Sequence, residues 1–294
     1  MAKSLPLIQV PGLYRRNVGS FRVATVHDGM LDAAFEDIVG VAPQVWETVH
    51  RAAFRPVPPQ LACNTFVIEG GGRLMLVDAG CGATTPGAGQ QVAGLSALGI
   101  APSDVDMVLM THLHRDHAAG LVDPSGQAVF PRAELVVHRD DLDFWRDETT
   151  LGRLRNGQKQ DFLIATAVLW AYADRTRSIG GGEVMPGISA IPTPGHTPGH
   201  TAWLLDSDGD RLLIWGDVVH LPLVQFAHPE AGVIYDFDGP AAAEARLRVL
   251  EMVAAERIPV AGVHLDFPCF GHVQARSDAG GGFDYTAETW TSTI

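Results

Sequence analysis

Three cysteines in 294 residues, Cys63, Cys81 and Cys269, leave little scope for sulfur chemistry. They are far apart in sequence and odd in number, with no C-x-x-C pair, which argues against both a disulfide framework and a thiolate zinc site. Positive charge is scarce too. Lysine occurs only at Lys3 and Lys159, the arginines are scattered, and 21 basic against 34 acidic residues leave a formal net charge of -13. A surface that acidic repels phosphate backbones and anionic lipid, so nucleic acid and membrane are poor partners. Long apolar runs are missing as well. No stretch approaches the ~20 apolar residues of a membrane span. The first ten residues are interrupted by Pro6 and Gln9, short of the roughly 7–15 apolar residues of a secretory signal. The expected compartment is the cytoplasm and the expected partner a small molecule.

What the chain does contain is the make-up of an ordinary soluble globular protein, 46% hydrophobic and 19% charged residues, long enough to bury a core. It is expected to fold as one domain, residues 1–294, with residues 1–60 as an N-terminal extension packed on it. Within that extension 21–26 reads as a strand, and the polar stretch after it ends in the Pro56–Pro59 breaker. From Asn64 the pattern becomes regular. Residues 65–69 and 74–77 read as strands joined by a turn at Gly70–Gly72, and 90–98 as a helix ending at Gly99. Residues 107–110 and 135–137 are apolar strands, the second leading into an acidic helix start at Asp140. Residues 157–177 carry apolar side chains at Phe162, Ala165, Val168, Leu169 and Tyr172, the spacing of a helix face. Beyond Gly180–Gly182 come strands at 188–191, 202–205 and 212–215, a helix over 241–255 and a core strand at 260–263. Strands followed by helices in each half predict an α/β fold, an αββα sandwich of two facing mixed sheets flanked by helices.

The densest chemistry lies in Thr111-His112-Leu113-His114-Arg115-Asp116-His117, four metal-capable side chains in six positions. Imidazole and carboxylate are the usual ligands for zinc and similar divalent ions. Where a strand ends and a helix begins, His112 and His114 can share one face while Asp116 and His117 turn to the other. That suits two adjacent ions rather than one. The bland alternative is a histidine-rich surface loop, which usually lacks an interleaved aspartate and a buried strand leading in. Further candidates sit at other strand ends: His196 in Thr193-Pro194-Gly195-His196-Thr197-Pro198-Gly199-His200, Asp217 after the 212–215 strand, and His264 after 260–263. Any one alone is weak, because a strand-end Asp is more often a helix cap and a lone His a hydrogen-bonded core residue. Together, four strand ends each present a ligand, as when an open sheet collects a site on one rim.

The run H-x-H-x-D-H, then G-H-T-P-G-H, then G-D, then a strand-end His resembles the metallo-β-lactamase superfamily, over nearly everything from Asn64 to the C-terminus. A closer likeness is to its methyl parathion hydrolase branch, neighbour to the quorum-quenching lactonases. It is carried by Asp141-Leu142-Asp143-Phe144-Trp145, Val224-Gln225-Phe226 and the run from His264 to His272. The resemblance implies that His112, His114 and His196 hold one ion, that Asp116, His117 and His264 hold the other, and that Asp217 bridges them. It also implies an orienting carboxylate at Asp78 behind a ligand histidine, pocket walls at Phe144, Trp145 and Phe162, and a homodimer. Two divalent ions about 3.5–4 Å apart can share a hydroxide whose water is acidified towards pKa ~7, and it attacks a carbonyl or phosphoryl centre. Zinc is the expected metal, although manganese, iron or cobalt suit the same ligands. Asp116, Asp217 and His220 are the candidate catalytic residues. His220 departs from the branch, which tends to be apolar three residues after the bridging aspartate; a pocket donor and a surface residue are its two readings.

Hydrolysis of a lactone, aryl ester or phosphotriester is therefore the leading expectation. A β-lactamase is disfavoured by Asp217, where β-lactamases of this fold typically place Ser or Cys. A glyoxalase II-like thioesterase should show basic residues for an anionic thiol carrier, and a nuclease is opposed by the -13 charge. An iron dioxygenase of this fold normally loses some of the seven ligands. A metal-stabilised binding module is the non-enzymatic alternative, opposed by the open coordination positions that seven ligands leave on two ions. His200 reads as a partner of the Pro/Gly turn, His272 as a weaker rival to His264, and His27, His50, His138 and His228 as ordinary hydrogen-bonding residues. The Gly82–Gly89 loop lacks the aromatic that the branch often carries, which counts against efficient organophosphate turnover.

Overall fold

Strand alternation sorts the apolar residues into an inner and an outer layer. A computed structural model, which describes residues 12–154, 156–277 and 280–294, shows two seven-stranded sheets. The first runs, edge to edge, Leu13–Val18, Phe21–Asp32, Gln60–Gly70, Arg73–Val77, Met107–Leu109, Glu134–His138 and Thr176–Ile179. Its first four strands pair antiparallel and the rest join in parallel. The second runs Gly182–Met185, Ile188–Pro192, Thr201–Ser207, Asp210–Ile214, Val260–Ala261, Phe270–Ala275 and Phe283–Ala287. Its one parallel step, from Asp210–Ile214 to Val260–Ala261, is crossed by the helix Gly239–Glu256, the kind of connection a parallel pair requires.

Phe66, Ile68, Met75, Val77 and Leu109 of the first sheet meet Ala190, Trp203, Leu205, Leu213 and Phe270 of the second in one buried core. The alternate residues Val67, Leu76, Val108, Leu135 and Val137 face outward against helices, where Leu95, Phe162, Ala165 and Val168 cover them. This is the expected αββα sandwich. Trp203 is fully buried between the sheets and its Nε1–H donates to Met110 O at 3.2 Å; truncating it to Ala costs about 3–5 kcal/mol. The expected turn at Gly70–Gly72 uses positive φ of 58° and 73° at Gly71 and Gly72, the twist that a tight hairpin needs.

Three expectations change. The strand read at 21–26 is the first half of the twelve-residue Phe21–Asp32, which pairs with Leu13–Val18 and Gln60–Gly70 in the first sheet. The polar stretch after it contains the helix Pro43–Ala52, anchored by one buried aromatic, Trp46, among Ile38, Leu61 and Leu221. The last core strand pairs only over Val260–Ala261, because the chain turns at Gly262 towards His264. The hairpin Phe270–Ala275 with Phe283–Ala287 has no counterpart in the sequence reading. The first ten residues, read above for a leader, lie outside the described residues. Among the described residues no helix is long and apolar enough to cross a membrane.

Candidate metal centre

The ends of the strands Arg73–Val77, Met107–Leu109, Ile188–Pro192, Asp210–Ile214 and Val260–Ala261 feed Asp78, the His112–His117 turn, His196, Asp217 and His264 to one place. Two groups of ligand atoms form there, His112, His114, His196 with Asp217, and Asp116, His117, His264 with Asp217; within each, the atoms lie within 4.8 Å of one another. Asp217 belongs to both. Its Oδ2 lies 3.1 Å from His196 Nε2 and 3.6 Å from His112 Nε2, while its Oδ1 lies 3.1 Å from His117 Nε2 and 3.3 Å from His264 Nε2. Asp116 Oδ2 completes the second group, 3.5 Å from His117 Nε2 and 3.6 Å from His264 Nε2.

Proton bookkeeping on the imidazoles tests whether these groups suit cations. Thr111 Oγ1 donates to Asp78 Oδ2 at 2.7 Å, so it accepts from His112 Nδ1–H at 3.0 Å. His196 Nδ1–H donates to Asp236 Oδ1 at 2.7 Å. In the neutral form that ligates a cation, His112 and His196 would both turn Nε2 lone pairs towards His114 Nδ1, at 3.0 and 2.9 Å. One His114 proton can satisfy only one of them. His117 Nδ1–H likewise goes to Asp78 Oδ2 at 2.7 Å and His264 Nδ1–H to Ala62 O at 2.7 Å, so their Nε2 lone pairs face carboxylate oxygens. His117 Nε2, His114 Nε2 and Asp217 Oδ1 have no hydrogen-bond partner although buried. Both groups call for positive charge, which a divalent ion would supply; the donor set fits.

The charges agree. Burial, followed by neighbouring histidines, pushes His112 and His114 well below the ordinary histidine range, so they stay neutral and ready to ligate. Burial also works against the proton on His117 and His196, but Asp217 with Asp116 and Asp78 carries His117 well above its usual value, and Asp217 with Asp236 carries His196 up to about 9. Burial would raise Asp217, yet His117, His264, His220 and His112 hold it far below the carboxylate range; Asp116 is lowered in the same way, chiefly by His117.

Asp78 stands behind His117 and also accepts Thr111 N–H at 2.8 Å, from a backbone with a positive φ of 60° that a non-glycine residue rarely adopts. His200 binds no metal group. Its Nδ1 meets Thr193 Oγ1 at 2.7 Å and its Nε2 accepts the main-chain N–H of Asp217 at 2.9 Å. Gly216 allows that approach, since a Cβ there would lie 2.8 Å from His200 Nε2. His220 is buried, with Nε2 3.0 Å from Asp217 Oδ2, which removes its surface reading. His272 is remote and faces Glu288. His27 contacts Asn64, His50 the carbonyl of Pro56, His138 caps the helix Arg139–Arg146, and His228 faces Glu230.

Phe144, Trp145 and Phe162 are corrected. None lines the cleft of about 300 Å³ over the ligands, whose rim includes Leu31, Thr85, Pro86 and Tyr235. Trp145, 1% exposed, packs edge-on against His114 at 5.8 Å, with Phe162 behind it and Phe144 against Phe237. Their helices turn these rings into the outer core, where they brace a ligand from behind. Two carboxylates were missed. Asp236, on the loop before the Gly239–Glu256 helix, orients His196 and carried no recognisable spacing. Fully buried Asp141 accepts Leu113 N–H at 3.1 Å and Gly199 N–H at 2.9 Å, tying the two histidine motifs together; it stands in the quoted D-L-D-F-W run, which was its only signal. The cysteines also differ from their sequence separation. Cys63 and Cys81 bring their sulfurs to 3.8 Å beside Asp28, but the Asp28 carboxylate is occupied by the N–H groups of Cys81, Gly89 and Gln91.

Comparison with known proteins follows the same line. The family model for the metallo-beta-lactamase superfamily matches residues 58–258. The chain is 29% identical over 177 residues to the uncharacterized protein YobT of Bacillus subtilis, covering 60% of this chain and 68% of that one. It is 24% identical over 120 residues to an N-acyl homoserine lactonase of Bacillus cereus, covering 41% of this chain and 40% of the lactonase. The match to the N-acyl homoserine lactonase AttM of Azorhizobium caulinodans, 31% identical, likewise spans 42% and 44%. The matched region is thus under half the length of these lactonases. Among solved structures, the hydrolase AbOPH in the beta lactamase superfamily superposes with a TM-score of 0.89 at 28% identity, over 97% of this chain and 100% of that one. AidC, a dizinc quorum-quenching lactonase in complex with a product, shares the fold at a TM-score of 0.87 and 23% identity, over 96% and 99%.

Proposed function

The chain belongs to the metallo-β-lactamase superfamily, and from that premise we propose that it is a dinuclear metal-dependent hydrolase acting on a neutral lactone or aryl ester, with phosphotriesters as a further substrate class. The observation that carries this reading is the divided carboxylate of Asp217, one oxygen turned to each ligand group. Two divalent ions, zinc first, would be held by the seven ligands and supply Lewis acidity and a water acidified towards pKa ~7. The rest is the work of the chain. Asp78, Asp236 and the Ala62 carbonyl fix tautomer and orientation at His117, His196 and His264. With His220 Nε2–H given to Asp217, the buried and unpartnered Nδ1 keeps a lone pair that can accept a substrate N–H or the hydroxyl of a leaving group. Asp116, its side chain 21% exposed, can pass a proton at its carboxylate between cleft and reacting centre.

Asp32, Asp116 and Asp161 line the cleft against a single Arg115, and the chain carries a net charge of -13, which favours a neutral substrate over an anionic one. The lactonase relatives support the lactone within that class. A small-molecule substrate, no nucleic-acid or membrane partner, and a homodimer belong to the same proposal. The test is a turnover panel on metal-quantified protein: simple and acyl-homoserine lactones, aryl esters, a methyl phosphotriester and a chromogenic cephalosporin. Lactone or aryl-ester cleavage that chelation abolishes while circular dichroism stays native is the expected result. Turnover of the cephalosporin alone overturns the reading.

A further inference from the structure

Arg246 lies on the helix Gly239–Glu256 and is 1% exposed, the one buried arginine or lysine among the described residues. A guanidinium keeps its charge, so burying it requires acceptors for its N–H groups. Here they are main-chain carbonyls from two loops. Nε–H donates to Val218 O at 2.6 Å, and Nη1 donates to Pro229 O at 2.9 Å and to Ala231 O at 2.8 Å. Val218 directly follows Asp217, which belongs to both ligand groups. Ala231 precedes the short strand Gly232–Val233, and Val233 N–H donates at 3.0 Å to Asp236, the partner of His196 Nδ1. Gln225 reinforces the bridge. Its Nε2 donates to the same Ala231 O at 2.9 Å, while its Oε1 accepts His220 N–H at 2.7 Å and Leu221 N–H at 3.1 Å. The segment from Asp217 to Asp236 is thus gathered about one cation. Burial presses against that charge, and Asp236, then Glu230, support it.

We propose that Arg246 is a positioning residue of the metal centre, clamping the turn that presents Asp217 to the loop that presents Asp236. It acts through carbonyls and ligates nothing itself. Carbonyl oxygens converging from two loops repel one another unless a cation lies between them. Without the guanidinium both loops relax, and the carboxylate that the two ligand groups share loses its fixed position. The inference rests on the hydrolase reading above for any effect on turnover; its effect on ion binding stands apart from that reading. Because Asp217 belongs to both groups, loss of the clamp should weaken both zinc-binding steps, each about 10–100-fold as for other groups that orient a ligand.

The test is chelator competition for zinc in the full-length wild type, Arg246→Ala, Arg246→Lys and Val253→Ala, with circular dichroism as the control for folding. Val253 is buried on the same helix, in the core with Leu213 and Phe270, so its truncation should lower the melting temperature and leave both binding steps unchanged. Arg246→Ala should weaken both steps, and guanidinium chloride far below denaturing concentrations should restore them where sodium chloride does not. Arg246→Lys, whose compact ammonium lacks the planar fork, should fall between wild type and Arg246→Ala. If Arg246→Ala does not fold, Arg246→Lys decides alone: weakening at both steps supports the clamp and wild-type binding overturns it. Wild-type binding in Arg246→Ala, weakening confined to one step, weakening that guanidinium does not reverse, or equal weakening in Val253→Ala overturns it too. Turnover of lactones and esters by the zinc-loaded wild type separates the two readings. Guanidinium-dependent zinc binding in Arg246→Ala without any wild-type turnover supports the clamp and counts against the hydrolase; wild-type turnover with unaltered zinc binding in Arg246→Ala does the reverse.

Discussion

The main-chain N–H of Asp217 donates to His200 Nε2 across 2.9 Å, so a histidine outside both ligand groups positions the one residue they share. Replacing His200 by Ala leaves that N–H buried and unmet, at about 1–3 kcal/mol. His200→Ala should melt earlier and retain less metal than the wild type, and His200→Gln should recover part of both. Calorimetry and elemental analysis read the two effects. Full metal content with unchanged melting would sever the link.

The same residue makes a pH prediction. Burial, and then the charge of His196, holds the His200 ring down to about 3, against an ordinary value of 6.5. Its folded value is depressed, so the ring stays neutral in the fold while the unfolded chain takes up a proton below 6.5. The stability it contributes is complete above that value and is lost as the pH falls towards 3. The stability difference between wild type and His200→Gln should therefore shrink through this window in denaturant titrations. A constant difference would contradict the assignment.

Metal loading should release protons. Burial opposes the charged form of His117 and His196, but the carboxylates around them win, and both rings are protonated at neutral pH without metal. A raised value means the proton is held below it and must leave before a cation binds, so affinity falls as the pH falls. Zinc added to metal-free protein at neutral pH should release on the order of two protons per chain, read with an indicator dye in weak buffer. Release should diminish as the pH rises through about 9, where His196 gives up its own proton. No release at neutral pH would refute the bookkeeping.

Asp236 meets His196 of the ligands, whereas Asp78 meets His117 directly and His112 only through Thr111. Asp236→Ala should weaken the His112, His114 and His196 site about 10–100-fold, and Asp78→Ala the Asp116, His117 and His264 site by a similar factor. Chelator competition resolves the two binding steps. Equal weakening of both steps in either variant would contradict the division of labour.

Asp217→Asn should lower metal content at both steps and reduce turnover by more than the roughly 10–100-fold of an orienting partner. Loss confined to a single step would show that its two oxygens do not serve two groups.

The seven candidate ligand positions were legible because each follows a short apolar strand, and the end of such a strand is a local feature. His112, His114, Asp116 and His117 also sit within six consecutive positions, where strand-to-helix geometry alone separates them into two sets. Asp236 shows where that legibility stops. It lies 40 residues from His196, and its role exists only because the loop before the Gly239–Glu256 helix folds back on the Pro/Gly turn. Trp145 and Phe162 make the same point from the other side: beside a ligand motif, a ring facing the cleft and a ring packed behind His114 read identically in sequence. The helix Pro43–Ala52 escaped notice because only Trp46 and His50 of its ten residues are buried.

The alternating strands of two layers, the candidate ligand residues and the acidic balance could be read from the sequence. Only the tertiary structure shows that Asp236 meets His196, that Cys63 meets Cys81, and that a second cavity adjoins the cleft at His220. Periodicity and side-chain chemistry act over a few neighbouring residues. Which groups face one another across distant loops depends on how the sheets and helices pack, and hydrogen bonds and charges between them gain most of their strength once that packing excludes water.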